Sequence, residues 1–538
     1  MDKLACASKR IPSALLAGLT LLLPTACGDR KSAWDTPFVR GDSVGLSGSV
    51  AVVDKARNEL LMLTTPAEGE LSTARVPVGK DIVKAAPSAD RERLFVLSRG
   101  DARRLRESDE KPRLTVVRGD TQPALLASYE LGDPAQKLVL DPAGDWAVVY
   151  DAGGVVVNSN ELVLIDLTLS DVKAALYPTT LHSTGGQPER FTFTTPLTLP
   201  SGERHRLLVV ETDQDLSILD LSYPKKTEVR VSLPKTKSGT AAHPTYVAFH
   251  DDPTGTDTGS YLAVAFQNDS SVLTLKLGDP TEKSMSAISV APNLLDAGAI
   301  PSTIDFVETD SGLRLAALVP TQRSAILFDP TTSKSETVQF DRAYSGIARI
   351  TGLVSDTPQN GDVALLYSAT DATIAFWRLG TASSTPYASY DSYPVDTRVT
   401  SVLDLPGDRY GYLKLLMGSS DDEFFLLDLR RRESYPMKAL AGFSLRLSPD
   451  GLRAWAFPKS HEQVAQLTFE PHHPTSYAVE RSVDDVFDIA RADGGRSALV
   501  LHSAKGGTPD LAVTLFDAEH PDSARTRFVS GLMLEGLQ

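Results

Sequence analysis

From Gly48 onward the chain repeats one pattern: a Gly/Asp/Pro/Ser turn, an apolar run dense in Val, Leu, Ile and aromatics, a polar gap, and a second alternating run that often ends in Asp. Alternating runs joined by such turns are the grammar of β-hairpins. The second runs include LLMLT ending at Thr64, LVLID at Asp166, LSILD at Asp220, AILFD at Asp329, FFLLD at Asp428 and VTLFD at Asp517. Ten of them recur about every 50 residues. The first runs keep pace, among them RLFVLS before Arg99, HRLLVVE at Glu211, LRLAALV at Val319 and LRAWAF at Phe457. Each follows a turn such as Asp141-Pro142-Ala143-Gly144, Ser448-Pro449-Asp450-Gly451 or Asp493-Gly494-Gly495. In these turns Asp and Gly supply capped or positive-φ positions.

Short flanking runs, TYVAFH and TEVRVSL among them, bring each unit to about four strands. Four strands per repeat, with no long amphipathic helix between them, predict an all-β fold. The expected architecture is a β-propeller of four-stranded blades, with about ten units in one ring. On this pattern the first unit starts at its second strand, SVAVVD ending at Asp54. The C-terminal LMLEG, from Leu532, is then expected to supply the missing strand and close the ring, removing free sheet edges.

The chain opens differently. Lys3, Lys9 and Arg10 precede a 13-residue, mostly apolar run from Ile11 to Leu23. A charged start followed by a short apolar run reads as a signal peptide over residues 1–26, too short to span a bilayer. The run ends in Leu23-Pro24-Thr25-Ala26-Cys27-Gly28, which resembles the lipobox of bacterial lipoproteins. That resemblance implies acylation of Cys27 and cleavage before it. The only other cysteine is Cys6, within the leader, so cleavage would leave one sulfur and no intramolecular disulfide. Residues 27–47 mix Gly, Pro and charge without periodicity and read as a lipidated tether, leaving residues 48–538 for the propeller. Gly28 stands where an Asp, in the lipoproteins this segment resembles, favours the inner membrane, so the resemblance implies an outer-membrane lipoprotein on the periplasmic face or cell surface.

The segments Val209–Leu221 (VVETDQDLSILDL), Ala265–Leu277 (AFQNDSSVLTLKL) and Leu447–Trp455 (LSPDGLRAW) resemble YVTN and WD40-type propeller repeats. Together with the leader they resemble a propeller lipoprotein of a Gram-negative bacterium. Trp-Asp strand ends are missing, the one Trp-Asp pair being Trp34-Asp35 in the tether.

Composition narrows the function. With 54 Lys+Arg against 69 Asp+Glu, the formal charge is −15, which argues against nucleic acid as a partner. The Asp column (Asp166, Asp220, Asp329, Asp428, Asp517) reads as turn caps rather than as a cation ring. The Asp251–Asp257 loop reads as a hairpin tip and not a calcium site, lacking the Glu-terminated frame. Nine His residues are scattered without zinc spacing, and His472-His473, flanked by Pro471 and Pro474, reads as a loop. Arg430-Arg431-Arg432 reads as a solvated turn. No Gly-x-Ser-x-Gly elbow or phosphate-cradling Gly loop is present. The sequence therefore assigns no catalytic, cofactor or metal residue, and Cys27 is its one modification site. The expected role is a lipid-anchored extracytoplasmic module that binds or scaffolds a protein or envelope polymer. The alternatives are a propeller hydrolase of lactonase type with a central-channel site, and a structural envelope component.

Overall fold

Apolar side chains on both faces of a strand need a partner layer on each side, and the middle strands of every repeat have them. In the second strand of the fourth repeat, Arg204–Thr212, Leu207 and Val209 pack toward the fifth repeat while Leu208 and Val210 pack toward the third. The strands Ser49–Asp54 and Asp215–Asp220 are buried along their whole length for the same reason. Repeated around the chain, this two-sided demand produces the ring.

The computed structural model of the protein describes residues 38–532 apart from 103–105, 152–159, 183–186, 213, 237–238, 254–258, 310, 351–362, 380–389, 406–411, 419–423, 438–443, 470–471, 504–510 and 522–525. Among the described residues, 40 strands form ten antiparallel four-stranded sheets, each in chain order, and the one helical element is a 3-10 turn at Pro320–Gln322. The blades cover residues 40–77, 82–130, 137–180, 188–232, 244–296, 303–339, 346–394, 399–436, 444–478 and 483–529. The core consists of ten apolar clusters, each lying between two consecutive blades. The protein is a ten-bladed β-propeller, as the repeat count anticipates.

The tenth cluster closes the ring. Val50, Val52, Leu61 and Leu63 of blade 1 pack on Phe487, Ile489, Leu499 and Leu501 of blade 10, with Phe38 and Leu532 at the margin. Polar contacts lock the same seam: Arg40 Nη2 meets Asp484 Oδ2 at 2.6 Å, Arg40 Nη1 donates to His502 O at 3.1 Å, and Ala490 N donates to Ser47 O at 2.8 Å. Gly45 lies directly against the Phe487 ring, where a Cβ would collide with it.

Closure therefore differs from the sequence expectation. The missing strand of blade 1 is Arg40–Gly45 (RGDSVG), from the segment read as tether, and not the C-terminal LMLEG. An innermost strand borders the channel on one side, so it carries no continuous apolar run, and this one holds two glycines and two charges. Leu532 contributes a single buried side chain to the seam, and residues 533–538 lie outside the described ones. Cys27 and the leader lie outside them as well. A second difference is His472–Ala478, which forms the outermost strand of blade 9 instead of a loop. Pro474 is tolerated there because an outermost strand has a free edge.

Truncating a seam side chain removes burial from two blades at once. Leu499→Ala, at a fully buried position in the closing seam, is expected to cost about 2–5 kcal/mol. Leu126→Ala, at a 43% exposed position on an outermost strand, should stay within about 0.5 kcal/mol. Denaturant midpoints of the two variants check this, and equal effects would mean that the seams do not hold the ring.

Candidate functional site: the channel wall and the capped face

The first strands of successive blades pack against one another around the ring and are therefore the innermost. Their exposed side chains line the channel with both signs of charge: Asp42, Lys84, Lys137, Glu189, Glu308, Arg446 and Asp484, with Tyr246 among them. Because strands alternate in direction, the turns joining strands one to two and three to four share one face of the ring. The other face holds the turns between strands two and three and the links between blades, including the entry of the chain at Phe38.

The Asp column sits at the third-to-fourth turns of that first face, and every member caps its own turn. Asp166 Oδ1 accepts from Thr168 N at 3.0 Å, Asp220 Oδ1 from Ser222 N at 2.9 Å, and Asp329 Oδ1 from Thr331 N at 2.8 Å. Asp428 Oδ1 accepts from Arg430 N at 2.9 Å and Asp517 Oδ1 from Glu519 N at 2.9 Å. We call this the capped face. The column consists of turn caps, as the sequence reading has it, and its members do not converge on a common centre.

Arginines staple neighbouring blades on this face. Arg93 of blade 2 donates to Gly144 O of blade 3 at 2.9 Å. Arg206 of blade 4 reaches back to Asp141 and, at 2.8 Å, Asp145 of blade 3. Burial pushes the Asp141 carboxyl above its ordinary range, with the Ala143 N–H and the Arg206 charge pulling the other way. Arg453 of blade 9 donates to Ala518 O of blade 10 at 2.6 Å. Sequence reasoning missed these staples, although the signal was present: Arg93, Arg206 and Arg453 each stand at or near the head of a second strand, just after a turn. Arg432 is a further one and corrects the reading of the Arg run as solvated. Its Nη1 donates to Asp391 Oδ2 at 3.1 Å and to the Tyr393 hydroxyl at 2.9 Å, both in blade 7. Arg430 and Arg431 stay at the surface.

His205, His502 and the Asp251–Asp252 loop are already engaged. His205 is buried with Nδ1 2.5 Å from Asp220 Oδ2 and Nε2 3.4 Å from Glu203 Oε2, so neither ring nitrogen faces a hydroxyl nucleophile. His502 is fully buried, with Nδ1 2.9 Å from Arg481 O and Nε2 2.7 Å from Thr514 Oγ1. Burial pushes its pKa below the ordinary 6.5. In the loop weighed as a calcium site, Asp251 Oδ1 accepts from Thr198 N at 2.7 Å and Asp252 Oδ2 from Gly259 N at 3.0 Å, while Asp257 lies outside the described residues. The group with metal-compatible spacing among the described residues is Asp517, Glu519 and His520. Asp517 there is committed to its cap and to Arg491, 3.5 Å from Oδ2. The geometry offers charged surface and a lined channel for binding.

No protein-family model matches the chain, and no curated protein matches it. Solved structures do. The dihydro-heme d1 dehydrogenase NirN is 12% identical, with 84% of this chain and 78% of that chain covered at a TM-score of 0.38. Apo AztD from Citrobacter koseri is 12% identical, with coverages of 73% and 97% and a TM-score of 0.33. Virginiamycin B lyase from Staphylococcus aureus is 10% identical, with coverages of 63% and 92% and a TM-score of 0.31. At these values the likeness carries no argument about activity or ligand.

Two outcomes follow from the site. Asp329→Asn keeps a cap acceptor and should be nearly neutral, while Asp329→Ala should cost about 1 kcal/mol. Thermal denaturation with and without added calcium reads both, and calcium should leave all three proteins unshifted. For His502, the folded state resists protonation that the unfolded chain accepts. Its contribution is therefore complete well above pH 6.5 and is lost as pH falls through that value toward the lower folded pKa. Melting profiles from pH 8 to 5 should show a steeper acid loss in the wild type than in His502→Gln.

Proposed function

We propose that the protein is a lipid-anchored extracytoplasmic β-propeller that binds or scaffolds a protein or envelope polymer, held at the outer membrane through Cys27. The signal-like leader ending at Cys27 supports the anchor. The carrying observation for binding is the ring itself: ten blades surround a channel with mixed charge, while the buried histidines and turn carboxylates are spent on structure. The chain enters blade 1 from the face opposite the caps. A tether from Cys27 to Phe38 spans at most roughly 40 Å, so the capped face is the one presented away from the anchor.

The anchor and the partner are tested together. Cells fed an alkyne fatty acid should label the wild type and not Cys27→Ser, and the label should co-fractionate with outer membrane. Affinity capture from gently solubilised membranes should then retain a stoichiometric partner that tracks with the labelled protein. Unlabelled wild type removes the anchor, and capture indistinguishable from an untagged control removes the binding role.

A further inference from the structure

Ring closure covers the faces of the blades but leaves ten outermost strands, each ending its sheet among the described residues. Such an edge is a row of unpaired backbone groups, a template for another strand. Nine of the ten are blunted. Proline stands in six, at Pro77, Pro178, Pro292, Pro394, Pro436 and Pro474, where it removes a donor. Val229–Ser232 and Arg527–Val529 are four and three residues long, and Ser335–Gln339 carries the exposed Glu336. The exception is Leu125–Glu130 of blade 2, six residues with no proline and no charge before Glu130. It pairs with Arg113–Arg118 on its inner side and with no other strand among the described residues.

This edge is also apolar on both faces. Leu125 and Leu126 at its head are 52% and 43% exposed. Leu125 pairs with Val117, which belongs to the seam with blade 1, so Leu125 faces that side. Ala127 pairs with Val116 of the seam with blade 3, and Leu126 is the extra residue of a bulge between the two pairs. The bulge turns Leu126 to the side of Ala127 and leaves 127–130 in regular register. There Leu126, Ala127 and Tyr129 line a groove with Leu167, Leu169 and Val172 of blade 3. The charged residue of that groove, Arg93, is already committed to Gly144 O at 2.9 Å. The seam between blades 2 and 3 thus stays open at the rim of the ring.

We propose that the Leu125–Glu130 edge pairs with the same edge of a second copy of the chain, antiparallel about a two-fold axis. A body docking from one side would cover Leu125 or Leu126, whereas a strand added at the edge places side chains beside both. Charge selects the second copy. Two chains of charge −15 repel each other, but residues 121–129 hold no charge, and the carboxylates that flank them are paired at home. Asp120 lies 3.8 Å from Arg118 Nε, and Glu130 lies 3.0 Å from Lys111 Nζ. About a two-fold axis each leucine-bearing face continues into its equivalent, so apolar surface meets apolar surface on both sides. The paired edge is only about 20 Å long, so the contact is small and the dimer dissociates in roughly the micromolar range. The pairing needs neither the lipid anchor nor the partner proposed above.

The test is sedimentation of the purified full chain in density-matched detergent over a range of protein concentrations, with photo-cross-linking in cells beside it. A reversible monomer–dimer equilibrium is expected, weakened at least tenfold in Leu125→Lys, which sets a lysine on the edge of each copy. Glu336→Lys, on a blunted edge of blade 6, should leave the equilibrium unchanged. Both variants should melt at the wild-type temperature in dilute solution, because both side chains are exposed. Benzoylphenylalanine in place of Ser128 should give an adduct of twice the chain mass, with the link falling on residues 125–130 of the second copy. A monomer at every concentration, or a dimer that Leu125→Lys leaves intact, overturns the proposal. Cross-links from position 128 that reach a different protein, with no dimer adduct, also overturn it and show that another chain supplies the strand.

Discussion

Two-sided burial of the middle strands is the constraint on which the molecule depends. A sheet with one apolar face needs one partner and can stop there, whereas a blade with two needs a neighbour on each side. Ten such blades leave no apolar face uncovered only if the last meets the first. The seam between blades 10 and 1 consequently has the same composition as the other nine, aliphatic and aromatic side chains from the middle strands, and differs only in joining distant parts of the chain. At roughly 1.5–3 kcal/mol for each fully buried large aliphatic, the seams outweigh the exposed ion pairs on either face.

The polar chemistry is organised around this apolar frame. Carboxylates at the strand ends tie down their own turns, and arginines at the strand heads cross the seams to carbonyls or carboxylates of the adjacent blade. Both act where the sheets run out and the apolar contact ends. Residues left over from these duties are the ones available for recognition. They lie on the innermost strands, where Asp42, Lys84 and Glu308 are exposed.

Much of this was legible along the chain, and for local reasons. The middle strands declare themselves because burial on both faces leaves continuous apolar runs such as SVAVVD and FFLLD, and the caps because Asp recurs at one place in the repeat. The strand Arg40–Gly45 was not legible, since one that borders the channel needs few apolar residues and looks like linker. His472–Ala478 hid behind its proline, which only an edge strand accepts. Arg432 hid in a charged triplet because its partners, Asp391 and Tyr393, come from another blade. The closing ion pair was invisible for the same reason on a larger scale: Arg40 is 444 residues from Asp484, and only ring closure brings them together.

Closure of ten blades by the strand Arg40–Gly45 is the claim that supports the rest, and a zero-length cross-link tests it most directly. In Arg40→Lys, an amine replaces the guanidinium that lies 2.6 Å from the Asp484 carboxylate, and carbodiimide treatment of dilute protein should join the two. The account predicts an intramolecular linked peptide pair containing positions 40 and 484, absent when Asp484→Asn is added. Links confined to neighbouring blades within the chain, or a 40-to-484 link found only between two molecules, would contradict a ring closed in this way.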